Sequence, residues 1–256
     1  MEYTLIRQSR KTIGIYIKNG GVEVRAPHKV SKAEIDKFVA TKEKWIAEKL
    51  AVSQERQGKR QEFAVSYGSM LLWRGEEFPL VGDSSNDRIW RDDQGFHFPP
   101  GLDEESLKYN VIRLYKICAQ NYLTERVRHF AEIMGDMPSD VKVTEAKTRW
   151  GSCSKRIPQK AKNTNPYAPL TMSKILKNIQ AAAEAPVYGV NFSWRLMMAE
   201  DDIIDAVVVH ELAHIKEMNH SPAFYAIIKS ILPDYDKRDA KLKILSKRLG
   251  CEDWEI

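Results

Sequence analysis

The stretch H-E-L-A-H-I-K-E-M-N-H, residues 210–220, contains three of the six histidines of the chain. The acidic and apolar residues that precede it predict a helix that begins near residue 201 and carries the first two of these histidines. Residues four positions apart on a helix differ by about 40° around the axis and about 6 Å along it. His210 and His214 therefore project to the same side and can bind one metal ion.

Two neighbouring residues complete a catalytic arrangement. Glu211 lies beside both histidines on the helix, close enough to reach a metal-bound water without displacing it. The helix is expected to run to about Ile215, and a turn after it can return His220 to the ion as a third neutral ligand. Three nitrogen ligands leave one position of a tetrahedral Zn²⁺ ion for water, which is typical of a catalytic zinc site. Glu217 is the competing third ligand.

Other candidate residues are selected by chemical type alone. A hydrolase needs a partner for the oxyanion that develops on its substrate. The candidates are Arg149, Arg195 and Tyr225. Three acidic residues also open the predicted helix, namely Asp201, Asp202 and Asp205. They are expected to complement the positive end of the helix dipole, with a contact to a metal-ligating histidine as the alternative role.

Composition sets the broad class of protein. The chain has 256 residues, of which 43% are hydrophobic and 29% charged, which is typical of a folded globular protein. The aliphatic run 206–209, beside the histidines, is far too short to span a membrane, and the N-terminus lacks the apolar segment of a secretory signal. Three widely spaced cysteines indicate reduced thiols and a cytoplasmic location. The net charge of +5 permits an acidic partner, nucleic acid included, without requiring one.

The pattern of apolar residues divides the chain into two parts. The alternation around N-G-G (19–21) predicts a β-hairpin, and Ser31 with Glu34 forms a capping box that opens a helix. Residues 54–62 are predicted to be a polar connector, and short strands follow. Helical spacing dominates after residue 104. We therefore expect residues 1–100 to form a β-rich extension with one helix, and residues 101–256 to form the catalytic domain.

With these features the chain resembles the YgjP-like metallopeptidases, cytoplasmic proteins related to the SprT and WLM-type minimal gluzincins. The resemblance rests on T-R-W-G-S-C-S (148–154), N-F-S-W-R-L (191–196), I-D-A-V-V-V-H-E-L-A-H (204–214), M-N-H-S-P-A-F (218–224) and L-P-D-Y (232–235). R-x-S-R-K-T-I near the N-terminus and V-R-A-P (24–27) match as well, so the resemblance covers nearly the whole chain.

The resemblance implies both a fold and a site. The implied fold is α+β, a zincin-like metallopeptidase domain with an N-terminal β-rich extension. The implied zinc ligands are His210, His214 and His220, and the implied catalytic glutamate is Glu211. Arg149, Trp150 and Gly151 would lie on a strand or turn near the helix that carries the site.

The chain departs from the family pattern at one place. In the family, R-W-G-S-C-S and N-W-R-L are normally close together, as two strands of one hairpin. Here residues 155–190 separate R-W-G-S-C-S from N-F-S-W-R-L. An excursion of this length is unusual in a compact domain unless it is functional or mobile. We expect an insertion that acts as a lid or a docking element over the substrate path.

The leading functional hypothesis is a zinc-dependent metallopeptidase that acts on a peptide or an unfolded protein and has no membrane partner. Zinc would lower the pKa of its bound water to about 7, and Glu211 would take the proton of that water. The strand predicted at residues 192–196 would align the peptide by strand addition. One alternative is a zinc-dependent hydrolase of a phosphoanhydride, such as that of a nucleotide. The other is a non-catalytic module that binds nucleic acid or protein and uses zinc only for stability.

Overall fold

The structure, a computed structural model, describes four stretches of the chain: residues 1–18, 20–85, 87–156 and 186–256. The chain forms two compact units, in which residues 1–64 with 246–255 make up unit 1 and residues 65–245 with Ile256 make up unit 2. Both units contain helices and strands, which confirms the predicted α+β class. Within the described residues, no helix combines the length and the apolar character that a membrane span requires.

Unit 1 is a three-stranded sheet covered on one face by two helices. Its elements are β1 (Thr4–Gln8), β2 (Gly14–Lys18), β3 (Gly21–Pro27), α1 (Lys32–Ala40) and α2 (Glu43–Glu62). The central strand β3 pairs parallel with β1 and antiparallel with β2. Val22, Val24 and Ala26 alternate toward the helices and pack with Ile35 and Ile46. This period of two places Glu23 and Arg25 of β3 on the opposite face of the sheet.

The predicted hairpin and the capping box are both present in unit 1. The backbone N–H of Glu34 donates to Ser31 Oγ at 3.2 Å, and the Ser31 N–H donates to the Glu34 carboxylate at 3.0 Å. The prediction of one helix and a polar connector at residues 54–62 is wrong, because α2 continues through Glu62. That stretch consists mainly of Gln, Glu, Arg and Lys, which favour helix even without an apolar face.

Unit 2 begins with a four-stranded sheet of order β4-β5-β7-β6. Its strands are β4 (Met70–Trp73), β5 (Glu76–Gly82), β6 (Trp90–Asp92) and β7 (Gly95–Phe98). A long helix, α3 (Glu104–Met134), follows. It begins where the Asp103 side chain accepts a hydrogen bond from the Ser106 N–H at 2.7 Å, and it ends at Gly135, whose φ of +78° suits glycine.

The predicted division at residue 100 differs from the division between the compact units. The sheet β4–β7 groups with the half of the chain that carries the three clustered histidines, so the boundary between the compact units falls between residues 64 and 65. Long-range hydrogen bonds explain the grouping. The Arg74 N–H donates to the Met197 carbonyl at 2.8 Å, and the Tyr115 hydroxyl donates to the Leu72 carbonyl at 2.5 Å. The spacing of apolar residues carries no information about contacts between distant parts of the chain. The sequence therefore predicts a boundary near residue 100, where the spacing changes from that of strands to that of helices.

A second sheet in unit 2 has the order β8-β10-β9. Its strands are β8 (Asp140–Thr144), β9 (Gly151–Arg156) and β10 (Val187–Ser193). β10 pairs parallel with β8 and antiparallel with β9, so among the described strands β9 lies at an edge. The strand predicted at residues 192–196 ends at Ser193, because a 3₁₀ helix (Trp194–Met198) begins there.

The structure describes both ends of the predicted insertion at residues 155–190, and it places these ends in a sheet. Arg156 pairs with Val187 and Lys155 pairs with Tyr188, so both ends of the predicted segment belong to the β9–β10 hairpin. Residues 157–185, to which the expected lid or docking element belongs, lie outside the described residues.

Three helices complete unit 2 and carry the candidate site. They are α4 (Asp201–Lys216), α5 (Pro222–Ile231) and α6 (Tyr235–Leu249). α4 is the apolar centre of the unit: Ile204, Val208 and Leu212 are fully buried on it. The last residues of α6, from Ser246, group with unit 1.

Candidate metal centre

The turn between α4 and α5 brings the third histidine back to the first two. α4 ends at Lys216, and the next residue, Glu217, caps it with an N–H that donates to the Ala213 carbonyl at 2.9 Å. α5 begins directly after Ser221, whose hydroxyl accepts a hydrogen bond from the Phe224 N–H at 3.3 Å, and proline occupies the first helical position. These two caps leave only a short connection, and His220 lies within it.

The three histidines form one compact group. Nε2 of His210 and Nε2 of His220 are 3.1 Å apart, and each of the three residues offers a nitrogen within 4.8 Å of the others. Two nitrogens that each lie about 2.0–2.1 Å from a tetrahedral ion are separated by about 3.3 Å. Histidine, cysteine, aspartate and glutamate are the side chains that commonly bind metal ions. Among the described residues, the cluster of such side chains that is compact enough to hold an ion is this group of three histidines.

The protonation of the histidines also suits metal binding, which requires neutral imidazole. Burial, together with repulsion from His214 and His220, lowers the pKa of His210 to about 4. Burial likewise lowers the pKa of His214 below its usual range. Both side chains are therefore neutral near pH 7 with an unprotonated nitrogen to offer.

Hydrogen bonds orient two of the rings. Nδ1 of His210 lies 2.8 Å from the Tyr235 hydroxyl, at the first residue of α6. Nδ1 of His214 lies 3.2 Å from the carbonyl oxygen of Glu217. A carbonyl only accepts, so Nδ1 of His214 carries the proton and Nε2 is left for the metal. Phe224 packs against the His214 ring at 4.5 Å between centroids, which further restricts its rotation. The role of Tyr235 was not predicted, although L-P-D-Y belongs to the motifs quoted above.

The position of the Glu217 side chain bears on the choice between His220 and Glu217 as the third metal ligand. The Glu217 carboxylate accepts a hydrogen bond from the Asn219 N–H at 3.1 Å and is not part of the three-histidine group. The contribution of Glu217 to the site is its backbone carbonyl, which any residue supplies.

We therefore expect His220→Ala to weaken zinc binding by more than 100-fold, beyond the about 10–100-fold cost of losing an outer partner of a metal ligand. Glu217→Ala should change zinc affinity by far less, because the carbonyl bonded to His214 remains. Competition with a chromophoric zinc chelator measures both affinities. A larger loss in Glu217→Ala than in His220→Ala would overturn the choice of ligand.

Glu211 lies against the edge strand β9. The side chain is buried, with 5% of its surface exposed. A Cβ atom at Gly151 would come within 2.6 Å of the Glu211 carboxylate, so glycine is required for this approach. The backbone N–H of Cys153 donates to the carboxylate. The R-W-G-S-C-S motif therefore supplies both the space for Glu211 and one of its hydrogen bonds.

The surroundings of Glu211 favour a group that exchanges a proton near neutral pH. Burial raises the pKa of Glu211 to about 8, and the positive charge of Arg149 and the Cys153 N–H oppose this shift. A divalent cation held by the neighbouring histidines would favour the carboxylate form. Such tuning is typical of a general base.

The acidic residues at the start of α4 have structural partners. Asp201 accepts a hydrogen bond from Arg74 Nε at 2.6 Å, and Asp205 accepts one from Arg126 Nε at 2.8 Å. Asp202 accepts from Lys241 at 3.0 Å. These bonds connect α4 to other elements of unit 2 and do not involve the three histidines. The alternative role of these acidic residues, a contact to a metal-ligating histidine, therefore has no support among the described contacts.

Of the three oxyanion candidates, Arg149 and Tyr225 lie near the site. The charge of Arg149 acts on Glu211, and the Tyr225 ring lies 6.4 Å from the His220 ring. The guanidinium of Arg195 instead stacks on the Trp194 ring at 4.6 Å.

Two cavities meet at Gly151. The first, of about 180 Å³, is mainly apolar, and its lining includes His210 and Glu211. Its other lining residues are Trp150, Gly151, Ala206, Val207, Tyr235, Asp239 and Leu242. The second, of about 260 Å³, is more polar, and its lining includes Arg149. The site is therefore open to a molecule with both an apolar and a polar part.

Comparison with known proteins identifies the family. The family model of the YgjP-like metallopeptidase domain matches residues 11–158 and 185–244 of the chain. The match covers most of the chain and leaves out residues 159–184, which lie inside the predicted insertion. Neither a curated protein nor a solved structure matches the chain significantly. The family expected from the sequence motifs is confirmed, and the chain belongs to the YgjP-like metallopeptidases.

Proposed function

We propose that the protein is a zinc-dependent metallopeptidase with His210, His214 and His220 as zinc ligands and Glu211 as the catalytic base. One observation carries the proposal: a buried glutamate lies next to three convergent histidines and against the edge of a sheet. Three histidines leave a coordination position open, which suits catalysis better than a structural role. A zinc site used only for stability has no need of the buried Glu211 carboxyl, whose burial without an ion partner is costly.

Proton transfer would be the task of Glu211. Bound zinc would supply a Lewis acid that acidifies water and polarises the scissile carbonyl. Glu211 would accept the proton of the attacking water and donate it to the leaving amine nitrogen. The Cys153 N–H and the clearance at Gly151 would hold the carboxylate in place for both transfers.

The peptide would be aligned by β9 rather than by β10. The earlier expectation of strand addition at residues 192–196 is wrong, because β10 is already paired on both sides. Directly before β9, the Trp150 carbonyl accepts a hydrogen bond from the Ser193 N–H at 2.8 Å, so the alternation along β9 directs the backbone groups of Gly151 and Cys153 away from β10. An extended peptide placed along this edge would pass Glu211, and a side chain next to the scissile bond would enter the apolar cavity.

A second candidate function uses the same metal site to hydrolyse a phosphoanhydride bond instead of a peptide bond. Arg149 lines a polar cavity with Thr144, Ser152 and Asn191, and this cavity shares Gly151 with the zinc side of the site. A cation among hydroxyl and amide groups can bind phosphate oxygens. Hydrolysis of a phosphoanhydride, such as that of a nucleotide, is therefore the alternative to peptide hydrolysis.

The experiment that separates these functions uses zinc-loaded full-length protein. We expect cleavage of an unfolded protein and of fluorogenic peptides, with preference for an apolar residue next to the scissile bond. Removal of zinc by a chelator should abolish cleavage and re-addition should restore it. Release of phosphate or pyrophosphate from nucleoside triphosphates without peptide cleavage would establish the alternative. No zinc-dependent turnover of either substrate would reject both hydrolase proposals.

We also propose a cytoplasmic location. Cys118, Cys153 and Cys251 are all free thiols, which suits a reducing compartment. Burial raises the pKa of the Cys153 thiol to about 11, so this cysteine beside Glu211 is an unreactive thiol near pH 7.

A further inference from the structure

The positive charge of the chain is concentrated in unit 1. Residues 1–64 and 246–255 contain 16 lysine and arginine residues and 11 acidic residues, a net charge of +5. This equals the net charge of the whole chain, so unit 2 is neutral. Fewer than a third of the 256 residues therefore carry the whole excess of positive charge. Such a concentration favours a polyanionic partner for unit 1.

The face of the unit 1 sheet opposite α1 and α2 presents an aromatic ring with basic neighbours. The Tyr16 side chain, on β2, is 37% exposed. The guanidinium of Arg25 lies 4.6 Å from the centre of its ring, and that of Arg10 lies 5.9 Å from it. Lys18 is exposed two residues further along the same face of β2. Glu23 lies opposite Tyr16 on β3 and is the acidic residue of this surface. We call the surface made by Arg10, Gly14, Tyr16, Lys18, Glu23 and Arg25 the Tyr16 face.

Local contacts hold the two arginines in place. Arg25 Nε donates to the Glu23 carboxylate at 2.6 Å, which fixes the guanidinium plane against the tyrosine ring. A Cβ atom at Gly14 would lie 2.8 Å from Nη2 of Arg10 and 3.0 Å from the Tyr16 ring. Glycine at position 14 therefore lets Arg10 lie flat on the sheet beside the tyrosine. Ordered rings and guanidinium planes lose little conformational entropy when they bind a ligand.

We propose that the Tyr16 face binds single-stranded nucleic acid. Aromatic rings and guanidinium planes stack on unpaired bases, whereas the bases of a duplex are already stacked on one another. The lysine and arginine charges around the ring bind the phosphates that connect those bases. An open sheet face with a stacking residue and a surrounding positive charge has the chemistry of single-strand recognition. This function is independent of the proposed metal site, since the Tyr16 face and the histidines belong to different units.

Fluorescence anisotropy of a labelled oligothymidine of about 16 nucleotides tests the proposal on the full-length protein. At about 50 mM NaCl we expect a Kd of about 1–100 μM that weakens steeply toward about 200 mM NaCl. Tyr16→Ala should weaken binding about 5- to 100-fold, and Tyr16→Phe should retain it because the ring remains. Lys18→Gln should reduce the slope of log K against log salt by about 0.7, the value for one phosphate contact.

Two comparisons separate stacking from charge alone. Tyr109→Ala removes a tyrosine that is 53% exposed in unit 2 and should bind like the wild type. An abasic strand of the same length keeps the phosphates and removes the bases, so it should bind the wild type more weakly than oligothymidine does. Equal binding by Tyr16→Ala and Tyr109→Ala, equal binding of the abasic strand, or no binding at low salt would each overturn the proposal. Unchanged zinc content and unfolding temperature in Tyr16→Ala would show that the variant is folded.

Discussion

The Glu211→Gln variant is expected to lose hydrolytic activity by about 10²–10⁴-fold while it keeps its zinc. Glutamine has nearly the same shape as glutamate, so it fits between α4 and Gly151 as the native side chain does. Its amide oxygen can still accept from the Cys153 N–H, but no part of the amide accepts a proton at neutral pH. Because the buried carboxyl has a pKa raised to about 8, a neutral side chain at this position should not destabilise the fold.

The test combines three measurements on wild type and variant: kcat/KM for the best substrate, zinc per chain, and the unfolding temperature. Gly151→Ala provides a companion variant, because the three atoms nearest to its Cβ would all belong to Glu211, with the carboxylate oxygen at 2.6 Å. It should lower kcat and leave zinc content near the wild-type value. Undiminished turnover by Glu211→Gln would remove Glu211 from the mechanism, whatever its effect on stability.

The second large effect is expected at the metal itself. Purified wild-type protein should contain about one zinc per chain, and His210→Ala should lose most of it. Alanine would remove one of the three proposed nitrogen ligands and leave the Tyr235 hydroxyl without its partner. Since zinc that binds only the folded state stabilises it, the variant should also unfold at a lower temperature than the zinc-loaded wild type.

Tyr235→Phe is the matched control for His210→Ala. It keeps the metal ligand and the ring, and it removes only the oxygen that lies 2.8 Å from Nδ1 of His210. Loss of such an outer partner typically weakens metal binding about 10–100-fold, so this variant should fall between the wild type and His210→Ala. Metal analysis and chelator competition give the order of the three proteins. A wild type that holds no zinc, even after incubation with the metal, would contradict the assignment of the site.

Much of the candidate site follows from local sequence. The spacing of His210 and His214 predicts a shared direction because helical geometry is repeated at every turn. Ser221 followed by proline predicts the start of the next helix, since capping depends on residues within one turn. The start of that helix in turn limits where His220 can lie. Such features need only contacts between residues close together in the chain, and the described structure contains each of them.

Other features depend on contacts between residues far apart in the sequence. The strand β9 lies at the edge because β10 pairs with β8, whose residues precede it by almost fifty positions. Gly151 is needed because Glu211, sixty residues later, packs against it. Tyr235 meets His210 only after α6 has packed beside α4.

The sequence by itself determined the family, the α+β class, the candidate ligands and the candidate base, because motif residues and helical periods are local properties. Only the tertiary structure decided which strand presents an open edge, which sheet groups with the metal site, and which hydroxyl orients a histidine. Each of these depends on which apolar faces bury one another, and many pairings satisfy the same alternation of residues. The distribution of charge between the units has the same origin, since residues 246–255 join unit 1 through folding rather than through sequence order.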